Sequence, residues 1–446
     1  MNVYTELRLG PITISDGLYR ISGGSYTAVF TGEKVPTSVG LMGNGRFEQL
    51  DGSVSHDSLE VGCLAGAEGT YVLSGGTTDT YAGYVGYDGI GLFEHSAGTH
   101  TATYLDIGNG SGSDGTYDLS GTGHLAVGVT MRVGVSGLGL FLQSGGTNVV
   151  SSNLYLGRFS GSDGTYDISA GDLSTANFYV GDNDSGTLNI TGSAASITVS
   201  SLLHFGPDST FTAVPGSTIH MTGSAFENEN TDPTDLAGLS NLELIFEGGS
   251  EDIDPFEVAG AIDGGFVDNF ALGTLTLGGV DIGQIQLVDD YDNGNRGATG
   301  KECLFLHDID INVGSTLDVY SHLLYVESNV ESMLDSWIAD GRLFDSTGYL
   351  DAVYFSADNW TAVVMPGDLN SDGIVDVGDI NLVLGSWGLD VPPGNALADP
   401  TGDAFVDVND LNAVLGNWAG HVPEPATMAL LLAGGLALLN RRHKSS

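Results

Sequence analysis

Through the first half of the chain, apolar and polar residues alternate in short runs separated by Gly, Ser, Asn and Asp. In "GTYDLSG", Tyr117 and Leu119 fall on one face and Asp118 on the other, the period of a half-buried strand. A Gly-x-aromatic signature recurs, as "GLYRISGG", "GRFEQLDG", "GTYVLSGG", "GLFEHSAG", "GTYDLSGT", "GLFLQSGG" and "GTYDISAG", then worn down to "GTLNITGS" and "STFTAVPG". Its third positions are Tyr19, Phe47, Tyr71, Phe93, Tyr117, Phe141, Tyr166, Leu188 and Phe211, set at near-constant intervals. A second signature, apolar-x-apolar-Gly, ends at Gly62, Gly86, Gly108, Gly134, Gly157, Gly181 and Gly206, at the same interval. Two independent signatures sharing a period near 24 mark a solenoid rather than a propeller or sandwich. Short strands with turn residues between them predict a mainly β chain, with residues 1–222 forming a parallel β-helix of about nine rungs. Equivalent aromatics would then stack on successive rungs, and Gly would supply the φ > 0 corners.

These repeats resemble those of bacterial autotransporter passengers and other surface proteins. The periodicity fades after Thr222, and "ENENTDPTDLAG" reads as a boundary. Residues 236–365 are expected to form a β-rich cap or second β-domain, because the last rung of a solenoid exposes unpaired backbone. Within it "GSTLDVYSHLLYV" reads as a hairpin or one more wide rung, and Ser332 to Ala339 as a short helix. The acidic runs "EDIDPFE" and "VDDYDN" read as solvated loops rather than cation sites.

Composition narrows the function. The 446 residues carry 57 acidic and 12 basic side chains, a formal charge of −45, which argues against nucleic-acid binding. The same balance favours hard cations wherever carboxylates converge. Cys63 and Cys303 are read as two free, buried thiols.

Such convergence is written into the C-terminal part. "GDLNSDGIVDVGDINLVLGSWG" begins at Gly367 and returns as "ADPTGDAFVDVNDLNAVLGNWAG" at Ala398. Asp368 and Asp399, Asp376 and Asp407, Asp379 and Asp410, and Trp387 and Trp418 all match at a shift of 31, which marks a duplication. Counting from Asp368, the loop places Asn370, Asp372, Ile374 (through its carbonyl), Asp376 and Asp379 at positions 3, 5, 7, 9 and 12, with Gly373 at the sharp turn. That is the spacing of a Ca²⁺ loop built from hard oxygens. The second copy offers Asp399, Thr401, Asp403, Phe405 (carbonyl), Asp407 and Asp410, with Ala404 at the turn position, so weaker binding is expected there. A helix follows each loop, and in the first Ile380, Val383, Leu384 and Trp387 are assigned to one apolar face.

Loop then helix, twice, over residues 366–420, resembles a type I dockerin. The resemblance implies a small two-helix module that folds on two Ca²⁺ ions and docks to a cohesin-like or other surface protein. The partner-reading positions would be Val377, Gly378, Val408 and Asn409, which lack the family's usual hydroxyl pair.

Residues 421–446 contain Pro423-Glu424-Pro425, a fourteen-residue apolar run from Ala426 to Leu439, and then Arg441, Arg442, His443 and Lys444. As a helix the run would span about 21 Å, against a hydrocarbon core of roughly 30 Å. The tail resembles the PEP-CTERM sorting signal of exopolysaccharide-producing bacteria. The resemblance implies a C-terminal hydrophobic helix held transiently in the inner membrane, processing by an exosortase-type enzyme, and a destination in the cell envelope or outside the cell. The opening "MNVYTELRLGPITISDG" has no apolar leader, and an upstream signal peptide is expected.

Catalytic signatures such as G-x-S-x-G, H-E-x-x-H and the P-loop are absent from the sequence. Arg20, Lys34, Arg46, Arg132 and Arg158 are scattered along the rungs, and no carboxylate pair stands out for glycoside hydrolysis. The expectation is a non-catalytic surface or matrix scaffold with Ca²⁺-dependent docking. The alternative is a polysaccharide hydrolase or lyase docked through the same module.

Overall fold

The computed structural model describes residues 2–4, 8–9, 16–28 and 36–418, except 224, 250–252, 263, 297–299, 347–349, 356–358, 365–366, 370–374, 392–397 and 402–404. The protein is mainly β, a parallel solenoid of about 13 turns with three α-helices among the described residues. Most rungs of the first half are one long strand that bends through three faces. Asn44–Val61, Glu68–Val85, Ile90–Ile107, Leu138–Leu156 and Asp163–Val180 each pair in parallel with the next turn. The bends coincide with register irregularities, for example between Leu73 and Thr77.

Alternation fixes which residues enter the coil. On the first face the third positions of the Gly-x-aromatic signature are in register from Tyr19 to Phe211. From Tyr19 to Tyr166 their rings stack, with centroids 4.6 to 5.1 Å apart. Each such contact contributes about 0.5–1.5 kcal/mol beyond its buried area. The second signature ends at the corner after the third face. Gly62, Gly86, Gly108, Gly134, Gly157 and Gly181 all have φ of 70 or 71° there. A Cβ on Gly108 would also strike the backbone of Leu138 on a neighbouring turn, so the corner excludes side chains twice over.

The aromatic column hides a finer rule: Tyr and Phe alternate strictly from Tyr19 to Tyr166. Where a Phe stands, the inward residue two places on is polar: Gln49, His95 and Gln143. Where a Tyr stands it is apolar: Leu73, Leu119 and Ile168. The tyrosine hydroxyl of one rung reaches the polar residue of the rung before it. Tyr71 donates to Gln49 Oε1 at 2.8 Å, and Tyr166 to Gln143 Oε1 at 2.6 Å. Tyr117 lies 3.0 Å from Nδ1 of both His95 and His100. The core therefore repeats every two rungs, and the hydroxyls of Tyr71, Tyr117 and Tyr166 each meet a buried partner.

The third hub fixes its own protons. His95 Nε2 must donate to Gly98 O at 3.1 Å, so in the neutral ring Nδ1 accepts the Tyr117 proton. His100 Nδ1 then donates to the Tyr117 oxygen, and Thr80 Oγ1 donates to His100 Nε2 at 3.1 Å. Both imidazoles are neutral: burial pushes His95 down to about 4 and His100 well below its ordinary value.

The coil continues past residue 222, which corrects the nine-rung boundary. Ile219, Leu244, Leu275 and Ile309 remain in parallel register, but the interval between them lengthens from each turn to the next. The aromatic strand ends at Ser209–Ala213, and its place on the next turn is taken by a 3₁₀ helix, Ala237–Asn241. Longer loops fill the remaining turns. "GSTLDVYSHLLYV" contributes two parallel strands, Thr316–Asp318 and Leu324–Glu327, and so is a wide rung. The segment assigned to a cap or second domain thus divides. Parallel pairing runs to Leu343–Phe344, and the hairpin Asp351–Phe355/Trp360–Val364 then adds antiparallel to Leu324–Glu327 and covers that edge.

Helix α1 (Glu331–Asp340) lies where a short helix is expected and buries Leu334 and Trp337 against the last turns. Cys63 and Cys303 are buried thiols outside any disulfide, as expected. No helix among the described residues is long and apolar enough to cross a membrane. Residues 421–446, which carry the sorting-signal resemblance, lie outside the described residues.

Candidate functional site

The duplicated acidic segment forms a small unit of its own. Helices α2 (Val377–Gly385) and α3 (Val408–Gly416) pack together over Leu369, Val375, Val383, Val391, Ala398, Val406 and Val414. Each helix starts with the same device. Asp376 Oδ1 accepts from Gly378 N–H at 2.6 Å, and Asp379 Oδ2 from Asp376 N–H at 2.7 Å. Asp407 and Asp410 repeat this with Asn409 and Asp407, at the same distances. These are reciprocal capping boxes with Asp at both ends.

Capping explains positions 9 and 12 of each loop but not position 1. Asp368 and Asp399 are nevertheless buried, as are Asp379 and Asp410. Asp379 Oδ1 accepts Leu369 N–H at 2.7 Å, which draws position 12 back onto the start of its loop. In the second copy Thr401 Oγ1 lies 3.1 Å from Asp399 Oδ1 and 2.8 Å from Asp410 Oδ1. One hydroxyl proton serves one of these contacts at a time. Positions 1, 3 and 12 of that loop therefore converge, and the Thr401 N–H also lies 3.3 Å from Asp410 Oδ1. Phe405 forms a bridge with Asp390, next to a short backbone pairing of Val406 with Gly388 and Leu389. Asn370, Asp372, Ile374 and Asp403 lie outside the described residues.

The apolar residues assigned to one face of α2 are only partly covered. Val383 and Val414 are buried and Ile380 is half-buried, but Leu384 and Trp387 face solvent, as do Leu415 and Trp418. Val377 and Val408, at two of the partner-reading positions, are exposed as well. A nine-residue helix in a two-helix unit has one covered side, and the duplication leaves the same apolar residues uncovered in both copies.

A second carboxylate group was missed in the sequence. Glu257 and Glu302 are 2 and 1 % exposed, and one oxygen from each lies within 4.8 Å of the other and of an Asp289 oxygen. The reading of "EDIDPFE" and "VDDYDN" as solvated loops thus fails for Glu257 and Asp289. Glu257 follows the inward Phe256 on its strand, and the 289–302 loop folds over it. Glu257 accepts the N–H groups of Asp290 and Tyr291 at 3.1 and 2.9 Å. Glu302 Oε1 accepts Asn293 N–H at 2.9 Å, and Asp289 Oδ1 pairs with Arg296 at 2.6 Å. Burial pushes the Glu257 carboxyl up to about 8 and that of Glu302 up to about 7, with neighbouring aspartates adding to both shifts. The three acids follow one another in sequence at unequal intervals, with no local periodicity to announce them.

The cations of the rungs come together with carboxylates. Arg20 and Arg46 pair with Glu48, Arg132 with Asp106, and Arg158 with Asp182. Lys34 lies outside the described residues. On the outer side of the third face, Tyr84, Asp106, Arg132, Tyr155, Tyr179, His204 and Glu227 follow one another in register. No protein-family model, curated protein or solved structure matches the chain.

Proposed function

We propose that the protein is an exported, non-catalytic scaffold of the cell envelope or extracellular matrix, whose rod carries a Ca²⁺-dependent, dockerin-like docking module at its C-terminal end. The observation that carries this reading is the twofold repetition of uncovered apolar residues. Val377 and Val408 are 59 and 52 % exposed, Leu384 and Leu415 51 and 47 %, and Trp387 and Trp418 46 and 44 %. Paired Trp and branched side chains left in solvent at matching positions suit a protein partner, a cohesin-like module or another surface protein. The buried Asp368, Asp379, Asp399 and Asp410 are the groups a hard cation would order, and Ca²⁺ is the ion their spacing suits. The PEP-CTERM-like tail supplies the route: export, a transient inner-membrane anchor, and exosortase-type processing.

Calorimetry on the full chain tests the module. Two Ca²⁺ equivalents are expected to disappear when Asp372→Ala and Asp403→Ala are combined; unchanged heats in that variant would refute the reading. The pairing of rung arginines with carboxylates supports a structural rod. A second reading, a glycan-active rod, is favoured by one feature, the half-open row from Arg132 through His204 to Glu227, with Glu229 Oε1 3.8 Å from His204 Nε2. Product release from acidic or neutral polysaccharide that is lost in Glu227→Gln would establish it in place of the scaffold.

A further inference from the structure

We propose that Glu257, Asp289 and Glu302 form a site for one divalent cation, Ca²⁺, which staples the 289–302 loop to the side of the solenoid independently of the C-terminal loops. The first support is charge. Three carboxylates meet at a place two of them share with almost no solvent, and the guanidinium that faces them, Arg296, is engaged with Asp289 Oδ1 and with the carbonyls of Asp289 and Tyr291. That partner matches Asp289, so ionised Glu257 and Glu302 would call for a further positive charge, because buried charge is stable only when it is matched.

The second support is a set of oxygens without hydrogen-bond partners. Glu302 Oε2 has none, although the residue is 1 % exposed. Asn293, equally buried, donates its amide nitrogen to the carbonyls of Asn228 and Asn230 at 3.0 and 2.7 Å. That pins the amide and leaves Asn293 Oδ1 without a donor, on the residue whose own N–H holds Glu302. Asn295 repeats the arrangement: its nitrogen is fixed on Ala259 O at 2.8 Å and its Oδ1 is unpartnered. Neither amide can flip without losing those bonds. Unpartnered buried oxygens are rare in folded proteins, and three on one loop beside a carboxylate cluster call for a positive ligand.

The chemistry of the donor set selects the ion. All the donors are hard oxygens, which suits Ca²⁺, Mg²⁺ or Mn²⁺ and not Zn²⁺ or Cu²⁺. Opposite oxygens around Ca²⁺ lie about 4.6–5.2 Å apart, twice the Ca–O distance, which accommodates the span of this cluster. Mg²⁺ keeps several of its waters, and a site this closed has little room for them. The loop also places Tyr291 against the outer row, its ring centroid 6.4 Å from that of His204 and its hydroxyl 3.5 Å from Glu227. An ion here would therefore set the shape of the end of that row.

The test uses the full chain carrying Asp372→Ala and Asp403→Ala, so that the C-terminal loops are silent and their failure is read separately. After chelator treatment, CaCl₂ titration is expected to give one residual equivalent, and MgCl₂ at least tenfold weaker binding. Adding Glu302→Gln should weaken Ca²⁺ binding at least tenfold and reverse the order of thermal stability. In chelator the variant melts at or above its parent, because a buried unmatched carboxylate is gone; in Ca²⁺ it melts below, because the ligand is gone. If Glu302→Gln does not fold, Glu257→Gln is read in the same way. No residual heat with CaCl₂, or residual heat and melting order that neither substitution changes, would overturn the proposal.

Discussion

Tyr117, His95 and His100 show how much a single rung depends on proton placement. Their network closes with both rings neutral, and burial holds His95 near 4 and His100 well below its ordinary value. His56, whose Nδ1 lies 2.9 Å from Thr37 Oγ1, is likewise pushed down by burial, to about 3. An unfolded imidazole takes up its proton near 6.5, so the stability carried by each neutral ring is complete above that pH. It is lost as the pH falls from 6.5 toward the folded value. The chain contains its own control, because Gln stands where His95 does in the two equivalent Phe rungs, at Gln49 and Gln143. His95→Gln should therefore fold, and between about pH 6.5 and 4 its stability should fall off less steeply by about 1.4 kcal/mol per pH unit. Denaturant melts of the two proteins across that range measure the difference; parallel curves would show that His95 titrates normally.

At the scale of the element, strand and corner place different demands on Gly. Within the coil the corner glycines combine positive φ with contact against a neighbouring turn, so Gly108→Ala loses on both counts. A cost of about 2 kcal/mol or more is expected, from backbone strain together with displaced neighbours. Urea unfolding is the measurement, and an unchanged midpoint would mean that the corner can relax. The helices depend instead on side-chain oxygen. Asp407 caps α3 at an exposed end, and a lost cap of this kind costs about 1 kcal/mol. The capping boxes are legible in the sequence as Asp-x-x-Asp, yet the same letters at the same spacing also read as the end of a cation loop. Neither reading excludes the other, since a carboxylate oxygen that accepts one N–H retains a second lone pair.

Over the whole molecule the repeat unit is two rungs rather than one. Deleting Phe93–Leu140, a pair of rungs, would seat Phe141 on Tyr71 and keep every Tyr above a polar partner. Deleting Tyr117–Leu140, a single rung, would stack Phe93 on Phe141 and strip His95 and His100 of the Tyr117 hydroxyl. The shorter deletion is expected to be the more destabilising, by about 1–3 kcal/mol for each orphaned buried group. Equal or opposite melting behaviour would reduce the alternation to coincidence. The prediction belongs at this scale because stacking energy in a solenoid is summed over neighbours, so a mismatch is felt wherever the phase is broken.

The strand period, the Gly-x-aromatic column and the corner glycines were legible because each rung writes its inward face in alternate residues and the next rung copies it at a nearly fixed interval. The duplication at a shift of 31 was legible for the same reason: identical local geometry demands identical letters. Past Phe211 the chain kept the parallel ladder but changed the loops between its strands. The copying then lost its fixed interval, and the letters read as the end of a coil that only widens. The exposure of Leu384 and Trp387 depended on which side of α2 meets α3, a matter of packing between elements. The meeting of Glu257, Asp289 and Glu302 was decided by tertiary structure alone, because a loop that folds across a turn joins residues whose separation follows no period.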